Sequence, residues 1–278
     1  MPAELEAPKL GQARPPKFEA RRVSRVFGHG RRARIGVDDV SFAINNQEIV
    51  SLVGQSGCGK TVLSKLLLRL DAPTRGELFI DGRPLGDERD PRAHFRRVQA
   101  VFQDPFSAFN QFFTIRSQLE GCFQLMPVKP SASEIRERVD AALLAVNIKP
   151  RELDGKYPFE LSGGQMQRML LARIFIIRPE VLIADEPTSM VDACSRASIL
   201  DYLMKLKVEL SMTIVFVTHD MSLACYVSDR LFVMHQGRIV EEGTPERVLA
   251  APENEVTRTL LDDIPDVHRD WLGRGARV

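Results

Sequence analysis

The sequence predicts an α/β protein built around a largely parallel sheet, with antiparallel hairpins near its start. Short β-branched runs recur along the chain and are separated by Gly/Asp-rich turns or by helical patterns. The later runs are almost wholly apolar, as expected of parallel strands that are buried on both faces. The predicted strands are residues 37–44, 48–53, 77–80, 98–102, 181–184, 213–218 and 231–235.

Composition is that of an ordinary soluble globular protein. The 278 residues include 38 Lys and Arg against 37 Asp and Glu, which leaves a formal net charge of +1. This balance excludes bulk electrostatic binding of nucleic acid, so we expect no nucleic-acid partner. No apolar window is long enough to span a bilayer, and the four cysteines have no metal-ligand spacing.

One segment differs from the rest of the chain, because strand-like runs disappear after Gln103. Ser131 and Glu134 then have the spacing of a capping box, which marks the start of a helix. We therefore expect a mostly helical subdomain inserted into the α/β core. The expected division is a flexible tail (1–17), the core (18–102 and 158–242), the helical subdomain (103–157) and a C-terminal extension (243–278).

The stretch GQSGCGKT, from Gly54 to Thr61, has the spacing of a phosphate-binding loop. It directly follows the strand predicted to end at residue 53 and precedes a helical run over 62–70, which is the order such a loop requires. Its glycines let backbone N–H groups point at phosphate oxygens at a helix N-terminus. Lys60 is expected to reach the β- and γ-phosphates, and Thr61 to ligate Mg²⁺.

Two adjacent carboxylates follow a predicted buried strand. Asp185 and Glu186 come directly after residues 181–184, at the edge where parallel sheets bind ligands. Neighbouring residues on an extended chain point to opposite faces, so we expect the two carboxylates to have different roles. Asp185 suits a contact to Mg²⁺, and Glu186 suits the general base that orients and polarises an attacking water.

The stretch LSGGQ, which ends at Gln165, places two glycines and the N-cap Ser162 at the start of another helical run. Together with GQSGCGKT and IADEP, it resembles the ATP-binding-cassette (ABC) family, whose signature is LSGGQ. Further pieces of the family pattern follow in order. Gln103 resembles the Q-loop residue, Asp192 ends a D-loop (SMVD), His219 resembles the switch histidine, and Phe27 resembles the aromatic that stacks on adenine. A packing role for Phe27 is the alternative.

The resemblance implies the ABC ATPase fold, which is a RecA-like P-loop NTPase core with an N-terminal antiparallel β subdomain and an inserted helical subdomain. It implies an ATPase that uses ATP and Mg²⁺, with Glu186, His219 and Gln103 in hydrolysis. Thr61, Gln103 and Asp185 would hold the metal. The implied nucleotide contacts are Phe27, Gly54, Gln55, Ser56, Gly57, Cys58, Gly59, Lys60, Thr61, Val62, Ser162, Gly163, Gly164, Gln165, Asp185 and Asp192.

Within this family the chain most resembles the oligopeptide, dipeptide and nickel importer ATPases. FQDPFSAFNQFFTI (102–115), YPFELSGGQMQR (157–168), IADEPTSMVD (183–192) and the tail at 243–261 carry this resemblance. It implies an importer subunit on the cytoplasmic face of the inner membrane. Its partners would be membrane-spanning permease subunits, an extracytoplasmic solute-binding protein and a second cassette, with a heterodimer preferred over a homodimer. Peptides are the expected cargo, and oligosaccharides or metal chelates are the alternative cargoes. The alternative to an importer subunit is a soluble mechanical ABC ATPase.

Cys58 lies at the start of the phosphate-loop helix, where the helix dipole can favour a reactive thiolate. We therefore expect a maleimide reagent to inactivate the protein and ATP to protect it. The alternative is a small residue at a loop position that tolerates variation.

Overall fold

The structure is a computed structural model that describes residues 14–28, 30–87, 89–189, 191 and 193–262. Ten strands lie in this part of the chain: β1 (Phe18–Phe27), β2 (Arg34–Ile44), β3 (Ile49–Val53), β4 (Arg75–Ile80), β5 (Arg83–Pro84), β6 (Val98–Val101), β7 (Val181–Asp185), β8 (Thr213–Thr218), β9 (Arg230–His235) and β10 (Arg238–Gly243). The helices are α1 (Lys60–Leu67), α2 (Pro91–Arg97), α3 (Ile115–Gly121), α4 (Ala132–Ala145), α5 (Gly163–Ile177), α6 (Ala193–Leu210), α7 (Met221–Val227), α8 (Pro245–Ala250) and α9 (Glu255–Asp262).

The larger sheet has the strand order β10-β9-β3-β8-β7-β6 and confirms the predicted α/β class. All neighbouring strands in it are parallel except the antiparallel pair β9 and β10. Every residue of β3, β7 and β8 is buried, which explains why these strands read as continuous apolar runs. The carboxyl ends of β3, β8, β7 and β6 meet at one edge of the sheet.

The smaller sheet is antiparallel, with the order β2-β1-β4-β5. The sequence patterns predicted β2 and β4 but missed β1. The pairing of β1 with β2 is interrupted by irregular register, and Arg22 within it adopts a left-handed backbone with φ 50°. A bulge of this kind breaks the alternation of apolar and polar residues on which strand prediction depends.

Helices α1 and α5 pack on opposite faces of the larger sheet. Ile183 of β7 belongs to the same buried cluster as Leu63 of α1. Its neighbour Leu182 belongs to a different cluster, together with Leu170 of α5. Because successive residues of a strand point to opposite faces, the two helices are separated by the sheet.

The segment from Gln103 to Tyr157 forms helices and short 3-10 turns, and no residue described in it lies in a strand. The predicted capping box is present at the start of α4. Glu134 N–H donates to Ser131 Oγ over 3.4 Å, and Ser131 N–H donates to Glu134 Oε2 over 2.8 Å. The helical content predicted for this segment is therefore observed, whereas its separation as a subdomain stays a prediction.

Four charged side chains join the two sheets. Lys17, which precedes β1, lies 2.8 Å from Asp81 and 2.9 Å from Glu180. Arg97, at the end of α2, pairs with the same two carboxylates. The hydrogen bond from Arg97, aided by Lys17 and opposed by burial, lowers the pKa of Glu180 to about 2.

We expect the free energy of unfolding of the Glu180→Gln variant to fall less steeply in acid than that of the wild type. The folded pKa of Glu180 lies below its ordinary value of 4.5, so the unfolded chain takes up the proton first as the pH falls. The stabilisation is present above pH 4.5 and is lost toward pH 2. Urea unfolding between pH 6 and pH 3 should show a shallower pH dependence in the variant. Glu209→Gln, which removes only an exposed pair of 3.7 Å with Lys205, is the control. Equal pH dependence in the wild type and Glu180→Gln would contradict this expectation.

Candidate functional site

The loop between β3 and α1 closes around the ammonium group of Lys60. Lys60 Nζ donates to the carbonyl of Gly54 over 2.5 Å and to that of Gln55 over 3.0 Å, and the residue is only 6% exposed. Cys58 N–H also donates to Gln55 O over 3.3 Å. The loop thus holds a cation at the N-terminus of α1, where the helix dipole adds positive charge.

Two loop glycines are required by close backbone approach. A Cβ at Gly54 would lie 2.3 Å from the carbonyl oxygen of Met234. A Cβ at Gly59 would lie 2.3 Å from the carbonyl oxygen of Gly36, and Gly59 also has φ 112°. Since neither backbone oxygen can move aside cheaply, any side chain at these positions would deform the loop.

Thr61 and Asp185 form a pair of oxygen donors beside the loop. Burial and the charge of Glu186 raise the pKa of Asp185, while a hydrogen bond from Thr61 and the charge of Lys60 oppose this rise. A hydroxyl and a buried carboxylate are the hard donors that Mg²⁺ prefers, and a cation would relieve the unfavourable burial of charge. The residues present therefore fit this metal.

Glu186 leaves the end of β7 through a left-handed backbone conformation, with φ 48°. Its carboxylate accepts a hydrogen bond from Ser189 Oγ over 2.9 Å and lies 3.2 Å from Nδ1 of His219. Burial acts to raise the pKa of Glu186, but the hydrogen bonds from Ser189 and His219 and the charge of Lys60 outweigh it and lower the pKa. The site thus holds an ionised proton acceptor at the edge of the sheet.

Gln103 and Phe27 lie at the borders of this cluster. Gln103 is exposed and follows β6, where Val101 pairs with Ala184, so it leaves the sheet at the same edge as Asp185. Phe27 is 40% exposed at the end of β1. Its ring and the side chain of Val62 both lie within 3.1 Å of the point where a Cβ of Gly36 would stand, so the ring borders the start of α1.

The signature stretch lies at the start of α5. Ser162 caps α5 as predicted: its Oγ accepts from Gln165 N–H over 3.2 Å, and its N–H donates to Gln165 Oε1 over 2.9 Å. Gly163 and Gly164 form the first turn of the helix. Helix α5, which begins at the signature stretch, and helix α1, which begins at the phosphate loop, lie on opposite faces of the sheet.

Two residues, Ser189 and Cys58, add to the sequence-based interpretation, and one predicted contact is not described. Asp192 lies outside the described residues. Ser189 was not singled out as a partner of Glu186, although a hydroxyl three residues after a carboxylate could have suggested the turn that joins them. Cys58 is 6% exposed, and its Sγ lies 2.7 Å from the point where a Cβ of Gly54 would stand, so a maleimide would reach it only if the loop moved; its inactivation by maleimide and protection by ATP stay a prediction.

A model of the protein family described as ABC transporter matches residues 37–189. The chain belongs to the ABC transporter family. The cassette is accordingly an ATP-binding subunit and an ATPase. In the described part of the chain, every helix is too short or too polar to span a lipid bilayer.

Curated relatives and solved structures are similar to the cassette over most of its length. The dipeptide transport ATP-binding protein DppF of Haemophilus influenzae is 36% identical, over 82% of this chain and 70% of that protein. The oligopeptide transport ATP-binding protein AppF of Bacillus subtilis is 34% identical over the same shares. The ATP-binding cassette MJ0796, in a dimeric post-hydrolysis state bound to ADP and Pi, superposes with a TM-score of 0.75 at 28% identity, over 82% of this chain and 98% of that one. The cassette cbiO1 of Clostridium perfringens superposes with a TM-score of 0.75 at 27% identity, over 92% of this chain and 99% of that one.

Proposed function

We propose that this cassette drives uptake of peptides through an ABC importer. The observation that carries the proposal is the cluster at the edge of the larger sheet, where the ionised Glu186 stands beside His219 and the loop that holds Lys60. The peptide cargo is supported by the names of relatives at 34% to 36% identity. Oligosaccharides and metal chelates are the other cargoes that an uptake assay would compare.

The chain's own residues suit ATP hydrolysis. The ammonium of Lys60 would contact the β- and γ-phosphates, and Thr61, Asp185 and Gln103 would hold Mg²⁺, which neutralises phosphate charge. Glu186 would accept a proton from the water that attacks the γ-phosphorus. Nδ1 of His219 faces the ionised Glu186, which can only accept, so Nδ1 carries the proton of that contact. The other ring nitrogen would donate to the γ-phosphate in the imidazolium form, in which both nitrogens carry a proton.

A complete site would need two cassettes. The family resemblance implies that the ATP held by one phosphate loop would be covered by the signature residues of a partner. These are Ser162, Gly163, Gly164 and Gln165, and Asp192 is proposed as a further nucleotide contact. We propose a head-to-tail dimer that closes on ATP and opens after hydrolysis, with a heterodimer preferred.

An exposed aromatic surface supports docking of a permease. Phe112 and Phe113 precede α3 and are 88% and 56% exposed, and Phe159 is 68% exposed beside Tyr157. The rings of Tyr157 and Phe159 stack with centroids 5.6 Å apart. A backbone hydrogen bond of 2.9 Å from Ile115 N–H to Lys156 O brings the two segments together. Clustered exposed aromatics of this kind are typical of protein interaction sites.

We expect the double variant Phe112→Ser, Phe159→Ser to lose permease subunits on purification from membranes while ATP binding by the isolated cassette is unchanged. Each removed aromatic would otherwise bury its ring against the partner. The measurement is the permease recovered per cassette, determined by quantitative mass spectrometry. Val208→Ser, a change at a 76% exposed site on α6, is the control. Equal recovery from the double variant and the control would contradict the assignment of this surface.

The proposal as a whole is tested by affinity purification of the tagged cassette from detergent-solubilised native membranes. Two multi-span proteins and a second cassette would support an importer located at the cytoplasmic face of the inner membrane. Reconstitution of these subunits in liposomes, with the solute-binding protein, should then show peptide uptake that depends on ATP. Recovery without any membrane partner would overturn the transport proposal in favour of a mechanical ABC ATPase.

A further inference from the structure

The ring of Phe27 is covered on one side by a cation. The guanidinium carbon of Arg25 lies 4.7 Å from the ring centroid, a distance at which a cation is attracted to the π-face. Arg25 in turn binds Asp71 through two atoms: Nε donates over 2.8 Å and Nη2 over 2.7 Å. A two-point contact between guanidinium and carboxylate fixes the plane of the cation as well as its position.

The Arg25–Asp71 pair connects two parts of the candidate site. Arg25 lies near the end of β1, and Asp71 lies just beyond α1, the helix that begins at the phosphate loop. Asp71 N–H donates to Lys65 O over 3.3 Å, and Asp71 Oδ1 accepts from Ala72 N–H over 2.8 Å, so the carboxylate is held by its own turn. The side chains of Arg25 and Asp71 are 26% and 21% exposed, which reduces screening by solvent.

The remaining contacts of Phe27 restrict the ring further. Gly36 faces the ring so closely that a Cβ there would lie 2.8 Å from Cε2 of Phe27 and 3.0 Å from Val62. Phe27 nevertheless remains 40% exposed. An aromatic ring that is fixed by a cation and by neighbouring side chains, and is still open to solvent, presents a rigid surface for stacking.

We infer that Arg25 is a positioning residue for nucleotide binding, which orients Phe27 for stacking on the base and is itself held by Asp71. The inference rests on the proposed function, because it takes Phe27 as the contact to adenine. A cation over one face withdraws electron density from the ring, and this favours stacking of an electron-rich purine on the ring. Arg25 therefore contributes to recognition of the base and not to recognition of the phosphates.

The test compares two ligands, ATP and inorganic tripolyphosphate, by calorimetric titration of the purified cassette with Mg²⁺. Arg25→Gln should weaken ATP binding by roughly threefold to tenfold and leave tripolyphosphate binding unchanged. Phe27→Ala should weaken ATP binding by about tenfold or more, again without effect on tripolyphosphate. Arg25→Gln added to Phe27→Ala should cause no further loss, because the two residues act through one contact. Asp71→Asn should weaken ATP binding less than Arg25→Gln does.

The same sheet provides a matched control. Arg21 lies 4.2 Å from the ring centroid of Phe79 and is paired with Glu19, so it has the same chemistry away from the phosphate loop. Arg21→Gln should leave both affinities unchanged.

Two outcomes would overturn the inference. Equal weakening of both ligands in Arg25→Gln would show a structural effect on the phosphate loop, and unchanged ATP binding in that variant would show that Arg25 does not position the ring. A different variant tests the proposed function itself. If that function is wrong, Lys60→Ala should bind both ATP and tripolyphosphate as tightly as the wild type does.

Discussion

Replacing Glu186 by Gln is expected to lower the steady-state ATPase rate at least about 100-fold while ATP still binds. The substitution keeps the length of the side chain and an oxygen that can accept from Ser189, but it removes the charge that accepts a proton from water. Since binding precedes hydrolysis, the variant should hold ATP and remain in the closed dimer. Phosphate release measures the rate, and size-exclusion chromatography with ATP and Mg²⁺ measures the dimer.

The variant Ser189→Ala distinguishes the effect of the Glu186 charge from the effect of the hydrogen bond that Glu186 accepts. It keeps the carboxylate but removes a hydrogen bond of 2.9 Å that lowers the pKa of Glu186. The pKa of Glu186 should therefore rise toward its ordinary value, and the acid limb of the pH profile of ATPase activity should move to higher pH. At pH 7.5 Ser189→Ala should lose much less ATPase activity than Glu186→Gln does.

If Glu186→Gln hydrolyses ATP at the full wild-type rate, Glu186 is not the general base.

Replacing Lys60 by Ala is expected to weaken ATP binding by roughly tenfold to a hundredfold, the range for a lost hydrogen bond to a charged group. The variant removes the only charge that the loop encloses among the described residues and leaves the carbonyls of Gly54 and Gln55 without this donor. Titration with ATP measures the loss. Lys149→Ala, at an exposed position between α4 and α5, should bind as the wild type does.

Because Lys60 is buried, the variant must be shown to fold. Thermal unfolding without nucleotide distinguishes a weakened fold from a weakened site. If Lys60→Ala is folded and binds ATP with unchanged affinity, the phosphate-loop assignment is wrong.

The sequence predicted those strands and helices that depend only on residues close together in the chain. Strands β3, β7 and β8 are buried along their whole length, so composition alone identifies them. The caps of α4 and α5 depend on residues three positions apart. Strand β1 was missed because its bulge at Arg22 breaks the alternating pattern.

The site was predictable to the extent that its residues belong to contiguous motifs. The loop at Lys60 and the carboxylates after β7 were found in this way. The pair of Arg25 and Asp71 spans 46 residues, and no local pattern links such positions. The burial of Cys58 also escaped prediction. Cys58 belongs to the same buried cluster as Met234 of β9, and β9 lies beside β3 only because of the order of strands in the sheet.

The left-handed backbone of Glu186 has a consequence for thermal tolerance. For a residue other than glycine, such φ values cost about 1 kcal/mol or more of folding free energy. Gln at this position would carry the same strain. Glycine would remove the strain and the carboxylate together. At this one position, activity and resistance to heat therefore oppose each other, and a search for heat-resistant forms of the chain that ignores hydrolysis would select against the residue that the reaction needs.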